Sequence, residues 1–367
     1  MILKFSSIVL LTVSLFAENI RYAKHDLHTL VPEKNSFNIS IEYILLNDTI
    51  DLFNLKDKEL SGAKNLGSIG DINGYKIGFI YGLRDDLMIS YNFTQTNLEY
   101  LSDTMKNTKH DIYLKYNLFQ NSLAFFNSGV SVDVGYTRDS LTDFYLRDTN
   151  AINEMIKRVL PNEDAKLLKS DGVTPFANEP FPRAKGYYAR FNNTTTKLNE
   201  NPYVSMEDTS DNSFYIRALT GFYSDHQITD FYTGYKYSKI KNTISTTKEI
   251  LDLAKQKGYD LHKVLDRDEG MAFLGFNYSF DSGSFIYEFN YEYDRFFRDS
   301  NLGYINYNHI INANISYALN KNTLLSLGGK IMYRQFNGEI PYLYSEYTQT
   351  TFDHKYGYAR FGILYRF

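Results

Sequence analysis

Apolar and polar residues alternate one by one along much of the chain, in segments of about ten residues separated by polar stretches. The first such segment places its apolar residues on one face, namely Phe37, Ile39, Ile41, Tyr43 and Leu45. The intervening Asn38, Ser40 and Glu42 form a polar face. This two-residue period is that of a β-strand, and about ten residues is the length that a tilted strand needs to cross hydrocarbon. The pattern therefore predicts membrane-crossing strands.

The alternating segments occur in pairs that are joined by short polar turns. These turns lie at 84–86, 120–121, 224–227, 281–283 and 320–322. Longer polar connections alternate with them, at roughly 47–71, 100–109, 139–211, 241–269, 298–304 and 338–354. Short turns at one end and long loops at the other are typical of bacterial membrane barrels. We therefore expect an all-β fold, a single transmembrane antiparallel barrel of twelve strands over residues 36–367, and a hairpin within 184–198 would make fourteen.

Local departures from the pattern predict two further features. The parity of apolar positions shifts between Phe125 and Val130, which indicates a β-bulge near 127–129. The long loops 139–211 and 241–269 contain apolar residues at helical spacing, within 151–160 and within 250–265, where Gly258 interrupts the pattern. We expect short amphipathic helices in both extracellular loops, which either narrow the barrel mouth or cap its rim.

Composition supports a membrane barrel. Aromatic residues make up 16% of the chain, with 33 Tyr, 27 Phe and no Trp. Tyrosine suits a barrel because its ring can lie in lipid while its hydroxyl reaches the headgroups. The net charge of −4 gives no basic surface for nucleic acid, so we expect no nucleic-acid partner. The chain has no Cys, which excludes disulfides, thiol catalysis, Cys-ligated metals and a lipidated N-terminal cysteine.

The first 17 residues have the features of an export signal. Lys4 precedes an apolar run at 5–16, and the run ends at Ala17. About 12 apolar residues are too few for a spanning helix, which needs about 20, so a membrane anchor is the weaker alternative. The pattern predicts a signal peptide over 1–17, and it leaves 18–35 as a periplasmic N-terminal segment.

The final strand carries a family resemblance. Phe367 is preceded at alternating positions by Tyr365, Ile363 and Phe361. This pattern resembles the terminal strand signal of Gram-negative outer-membrane β-barrel proteins, whose last aromatic residue is read by the barrel-insertion machinery. The resemblance implies an outer-membrane location with outer-membrane lipid around the barrel, and it does not identify a subfamily. With an even number of strands, both termini are expected in the periplasm.

The positions that alternate with the apolar set are expected to face the lumen. The charged residues among them are the pore-lining candidates, namely Glu42, Lys76, Lys115, Asp133, Arg217, Lys236, Glu288, Glu292, Asp294, Lys330, Arg334 and Arg360. Barrel closure would place Arg360 beside Glu42, where an ion pair is expected. A basic sector from Lys330 to Arg360 opposite an acidic sector at 288–294 would create a transverse field in a pore.

Few residue patterns in the sequence support a catalytic site or a metal site. Barrel hydrolases with a His-x-Ser arrangement are excluded as a direct match, because no His is followed by Ser two positions later. His110 with Asp111, and His354 with Asp353, are generic rim candidates for a protease-like site. His25 and His28 could share a helical face as metal ligands, but a solvated arm is the simpler interpretation. We therefore expect no catalytic residue, no metal and no cofactor.

Three functions follow from the sequence. The preferred hypothesis is a porin-like channel for passive diffusion of small polar solutes across the outer membrane. The second is a surface adhesin or interaction protein with a closed barrel, which makes its contacts through the loop 139–211. The third is a barrel hydrolase.

Overall fold

The computed structural model of the chain describes residues 28–46, 70–100, 103–122, 127–147, 164–169, 187–224, 226–333, 344–346 and 355–367, together with 152–153, 156–157, 160 and 172–173. The strands within these ranges, in chain order, are β1 (Phe37–Leu46), β2 (Ile72–Arg84), β3 (Leu87–Tyr100), β4 (Asp103–Ser122), β5 (Asn127–Leu141), β6 (Phe144–Leu146), β7 (Ala165–Leu168), β8 (Tyr187–Phe191), β9 (Thr194–Leu198), β10 (Val204–Tyr223), β11 (Gln227–Thr246), β12 (Lys263–Val264), β13 (Arg267–Ser282), β14 (Phe285–Phe297), β15 (Tyr307–Ala318), β16 (Thr323–Met332) and β17 (Tyr356–Arg366). A helix, α1 (Lys248–Gln256), lies between β11 and β12.

Twelve of these strands form a closed antiparallel barrel, as the sequence predicts. The order around the wall is β1-β2-β3-β4-β5-β10-β11-β13-β14-β15-β16-β17, and β17 pairs with β1 to close it. The hairpin expected within 184–198 is present as β8 and β9, but it pairs with β7 in a separate three-stranded sheet. The short β6 and β12 pair only with the ends of β10 and β11. The barrel therefore has twelve strands, and the alternative of fourteen is wrong.

The outer surface of the barrel is apolar, because the alternating apolar residues point away from the lumen. Ile41, Val134 and Phe214 are 50%, 57% and 64% exposed. The intervening polar residues point inward, where Asp133 is 0% exposed. A closed barrel pairs the backbone groups of its wall strands and so can expose such side chains to lipid. In the part of the chain that the structure describes, no helix is long and apolar enough to cross a membrane.

The barrel has two different ends. Short turns join β2 to β3, β10 to β11, β13 to β14 and β15 to β16, and we call this the turn end. Both the start of β1 and Phe367 lie there, since the Phe367 amide donates to the Phe37 carbonyl over 2.8 Å. The opposite end, which we call the loop end, carries the long connections.

Some long connections are shorter than the sequence predicts. Within the loop expected at 100–109, Tyr100 and residues 103–109 belong to strands, because β3 and β4 pair as far as Tyr100 and Asp103. The end residues of the loops expected at 139–211 and 241–269 likewise belong to strands, namely to β5, β10, β11 and β13. Beyond the membrane the outer face meets water, so the strand loses the apolar alternation that marks it in lipid.

The expected bulge lies on the neighbouring strand. The register of β4 and β5 shifts between Asn117 and Phe119, which face Ser131 and Val130. Leu118 on β4 is therefore the extra residue, and the prediction of a bulge within 127–129 of β5 is wrong. Burial alternates without a break along β5, and the register changes on β4 at Leu118. One sequence cannot indicate which of two paired strands carries the insertion.

The two loop helices are partly confirmed. In the first loop the described residues 152–153 and 156–157 are helical. In the second loop α1 ends at Gln256, before the predicted 265, because Gly258 adopts a φ of +84°. This left-handed conformation suits glycine and ends a helix.

Candidate functional site

The segment before β1 folds into the barrel lumen at the turn end. We call residues 28–36 the N-terminal strap. His28 Nδ1–H donates to Asp230 Oδ2 over 2.6 Å, and the Thr29 amide donates to Asp230 Oδ1 over 3.0 Å. Lys115 Nζ donates to the His28 carbonyl over 2.5 Å, and the Tyr223 hydroxyl donates to Thr29 Oγ1 over 2.7 Å. The strap is therefore held by a buried set of charge-assisted hydrogen bonds.

The strap crosses the whole width of the barrel. It leaves the wall at β1 and ends at Asp230 on β11, which is the sixth strand from β1 in either direction around the wall. Along the way Val31 packs against Ile80, Met88 and Tyr113. The expectation of a solvated arm is thus wrong for His28 and Thr29, which are 6% and 0% exposed, whereas Glu33, Lys34 and Asn35 are exposed. The two buried residues supply the partners that Asp230 and Lys115, both 0% exposed, need.

Ion pairs between neighbouring strands lie in the middle of the lumen. Asp133 on β5 accepts from Arg217 Nε over 2.7 Å, and Asp211 accepts from Lys236 Nζ over 3.2 Å. The predicted pair of Arg360 and Glu42 is confirmed, with Nη1 and Oε2 3.6 Å apart. These pairs neutralise charges that would otherwise be costly to bury.

Two cavities lined by described residues lie inside the barrel. The turn-side cavity, of about 280 Å³, lies between the strap and mid-barrel, and His28, Glu42, Lys76, Glu288 and Arg360 are among its lining residues. The loop-side cavity, of about 250 Å³, is lined by residues that include Lys236, Glu292, Asp294 and Lys330. Asp111, Tyr215 and Arg217 line both cavities, so the two spaces adjoin there.

The predicted separation of charge across the lumen is absent. Glu288, Glu292 and Asp294 lie on β14 and Lys330 lies on β16, so the acidic and basic residues are separated by β15 alone. Asp294 and Lys330 line the same cavity. Strand order brings these charges onto one wall, and the transverse field expected from the sequence is therefore wrong.

The structure brings eleven of the twelve pore-lining candidates inward, and Arg334 lies outside the described residues. Nine of them line the two cavities, namely Glu42, Lys76, Arg217, Lys236, Glu288, Glu292, Asp294, Lys330 and Arg360. Lys115 and Asp133 are fully buried, because one holds the strap and the other holds Arg217. Their role in permeation remains a prediction.

At the loop end a large apolar cluster fills the inside of the wall. Its members come from strands around the barrel and from the loops after β14 and β16, and they include Ile72, Met105, Ile240, Leu302 and Tyr344. The Tyr344 ring is 0% exposed and lies 4.5 Å from the Arg298 guanidinium carbon. Ile310 of this cluster also lines the loop-side cavity, so the cluster adjoins that cavity.

Beyond this cluster, the two helix-bearing loops share a second apolar core. Ile152 and Leu167 of the first loop pack in the same cluster as Ile250 and Leu253 of α1. We call this unit the cap. At its surface the Arg190 guanidinium and the Lys166 ammonium hold the pKa of Asp164 below its usual range. The sequence left open whether the helices constrict the mouth or cover the rim; the structure shows that they pack on each other and on Val204 and Ile244, near the ends of β10 and β11.

The candidate hydrolase site is not assembled from His110. His110 lies on the outer wall, where it shares a hydrogen bond of 2.9 Å with Tyr91, whereas Asp111 points into the lumen. His309 repeats this arrangement with Tyr291 at 2.8 Å. Asp353, His354 and His25 lie outside the described residues. Within the described ranges, no three His, Cys, Asp or Glu side chains are grouped as metal ligands.

Several lumen residues are not among those predicted from the sequence, because they are uncharged or lie close to a turn. Asp230 sits three residues after the start of β11, and its inward parity was the one available signal. Asn277, Asn290 and Asn312 also share that parity and line the turn-side cavity. Only the closed wall shows that they meet.

Comparisons with known proteins identify similar folds. No protein-family model matches the chain, and no curated protein matches it. Among solved structures, the translocator domain of the autotransporter NalP from Neisseria meningitidis is 8% identical with a TM-score of 0.45, covering 99% of this chain and 96% of that one. The KdgM porin in complex with disordered oligogalacturonate is 9% identical with a TM-score of 0.36, covering 90% and 99%. The CymD monoaromatic hydrocarbon channel is 10% identical with a TM-score of 0.36, covering 91% and 88%. At these values the likenesses carry no information on substrate or partner.

Proposed function

We propose that this chain is an outer-membrane channel for passive diffusion of small polar solutes. The observation that carries the proposal is the pair of cavities with charged lining residues that adjoin at Asp111, Tyr215 and Arg217 inside a closed barrel. A barrel that served only as an anchor would gain nothing from internal space lined by charged groups, since each such group costs free energy to desolvate.

The apolar belt and the arrangement of the ends support the location. Exposed apolar side chains surround the wall, and aromatic rings such as Tyr287, Tyr317 and Phe367 mark its turn end. In bacterial outer-membrane barrels the short turns face the periplasm. We accordingly place the turn end and both termini in the periplasm, the cap outside the cell, and Phe367 as the residue that the insertion machinery reads.

Two features obstruct the lumen within the described residues. The strap crosses the turn end, and the apolar cluster with Tyr344 lines the loop end. Hydrophobic constrictions can gate a pore by excluding water. Conduction therefore requires the strap and the cluster to move, and residue changes that release the strap should raise the open fraction.

Substitution of Gly221 should displace the strap without changing any charge. A Cβ at this position would collide with Thr29 Oγ1 and with the Asp230 carboxylate. In planar lipid bilayers we expect Gly221→Ala to raise the conductance of the full chain at least several-fold. Gly329→Ala is the matched control, because its Cβ would meet only the Tyr358 carbonyl, at an acceptable 3.4 Å.

The bilayer recordings decide between a channel and a sealed barrel. Conductance of the wild-type chain, or of Gly221→Ala above Gly329→Ala, supports the channel. Bilayers that stay silent with all three folded proteins would overturn it and leave the barrel as an anchor.

A second candidate function is surface interaction through the cap. The observation that favours it is the cap's own apolar core, which lets the three-stranded sheet and α1 hold a defined shape beyond the membrane. Replacing residues 148–199 by a short Gly-Ser linker should then abolish attachment of the protein to cells or matrix while leaving bilayer conductance unchanged. Attachment that survives this deletion contradicts the role.

A further inference from the structure

The turn-side cavity contains a buried amide that has no partner among the described residues. Asn38 is 2% exposed, and neither its Nδ2 nor its Oδ1 forms a hydrogen bond within the ranges that the structure covers. Its side chain lines the cavity. A buried amide without partners costs free energy, and a hydrogen-bonding molecule in the cavity would recover that free energy.

A ladder of amides lines another part of the same cavity. Asn312 Nδ2 donates to Asn290 Oδ1 over 2.8 Å, and Asn290 Nδ2 donates to Asn277 Oδ1 over 2.7 Å. These bonds fix the orientation of three adjacent amides on β13, β14 and β15. Asn290 Nδ2 also donates to the Tyr232 hydroxyl over 2.9 Å, so Asn290 aligns the ladder. Asn277 and Asn312 at the two ends line the cavity with amides, and an amide carries both a donor and an acceptor for a solute hydroxyl.

The charges of the cavity balance. Three acidic side chains line it, Glu42, Asp111 and Glu288, and three basic ones, Lys76, Arg217 and Arg360. Arg217 is further held by Asp133, and Lys115 lies opposite Asp133 on β4, so this second layer adds one acidic and one basic group. Glu288 accepts from the Asn314 amide over 2.7 Å. A charged solute would therefore lose its hydration without gaining a net opposite charge.

Two tyrosine rings complete the lining, those of Tyr113 and Tyr215. A tyrosine ring offers an apolar surface next to a polar tip. The cavity volume of about 280 Å³ is at the lower end of the range for small-molecule sites.

We infer that the turn-side cavity is a binding site for a neutral, hydroxylated solute of the size of a monosaccharide, with Asn38 and the Asn277–Asn290–Asn312 ladder as its hydrogen-bonding groups. This inference names the solute class of the proposed channel and rests on that function for its biological meaning. Asn38 binds solute hydroxyls through both amide atoms, and the balanced charges reject ions.

The test is calorimetric titration of the full chain, folded in detergent micelles, with glucose, glucuronate and glucosamine. We expect glucose to bind at least about tenfold more tightly than either charged sugar. Asn38→Ala should weaken glucose binding roughly tenfold, as expected for the loss of two hydrogen bonds. Asn212→Ala is the control, since its amide lies on the outer wall, where it accepts from the Tyr136 hydroxyl over 2.8 Å.

Each outcome separates this inference from the channel proposal. Equal or tighter binding of a charged sugar, no binding of any of the three, or equal affinities of Asn38→Ala and Asn212→Ala would overturn the neutral-solute site. Ion conductance in bilayers would still support the channel in those cases. Glucose binding by a chain that never conducts would support the site and overturn the channel.

Discussion

At the scale of single residues, the lumen of this barrel is organised by pairing of buried charges. Asp133 is 0% exposed and Arg217 is 11% exposed along its side chain. The sequence predicts that both point inward, because inward parity follows from the two-residue period. Which acid meets which base depends on the register of β5 and β10, and that register places Asp133 directly opposite Arg217.

Removal of the Asp133 carboxylate should be strongly destabilising. Asp133→Ala leaves the Arg217 guanidinium buried without its counter-charge, and we expect a loss of about 3–5 kcal/mol in the free energy of unfolding. Urea titration of the protein refolded into lipid vesicles measures this loss. The control is Arg84→Ala at the exposed pair with Asp86, which should cost at most about 1 kcal/mol. Similar losses for the two variants would show that Asp133 contributes no more than a surface charge.

At the scale of elements, the positions of the strap and the cap cannot be predicted from local sequence patterns. The strap has no periodicity, and its position is set by partners on strands that follow it by up to 202 residues, as with His28 and Asp230. The cap contains helical periodicity that predicts α1, but its packing partner is another loop. Helix type is a local property, whereas docking depends on which loops the closed barrel brings together.

The cap core predicts a local effect that leaves the barrel intact. Leu253 is 5% exposed, and Leu253→Ala should cost about 2–5 kcal/mol within the cap. Hydrogen exchange should then quicken in α1 and β8 while the barrel strands stay protected. Asp252→Ala, which changes an exposed residue of the same helix, is expected to leave exchange unchanged. Faster exchange throughout β10 and β11 would mean that the cap and the barrel unfold as one unit.

At the scale of the whole molecule, the fold is decided by the contrast between an apolar outside and a polar inside. Leu327 is 51% exposed on β16 and faces Ile315 on β15 and Phe361 on β17, so its surroundings on the outer wall are apolar. A water-soluble protein would not leave such a belt uncovered.

A charge placed on this belt should impair membrane folding. Leu327→Arg is expected to cost about 2–4 kcal/mol of stability in a bilayer, as for a cation near the midplane. The measurement is the fraction of protein that folds into lipid vesicles as the urea concentration of the buffer is raised. Val264→Arg, at a 62% exposed position of β12 beyond the membrane, should fold like the wild-type chain. Equal stability of the two variants would place Leu327 outside hydrocarbon.

The sequence by itself determined the strand period, the number of barrel strands and the inward set of charged residues, because each follows from alternation between neighbouring positions. It also predicted the ion pair of Glu42 with Arg360, since closure of an even-stranded barrel places the last strand beside the first. Only the tertiary structure decided that the strap crosses to Asp230, that Lys330 and Asp294 line the same cavity, and that Asn38 lines a cavity. These facts depend on contacts between residues far apart in the chain, and the two-residue period carries no information about which distant strands face each other across a lumen.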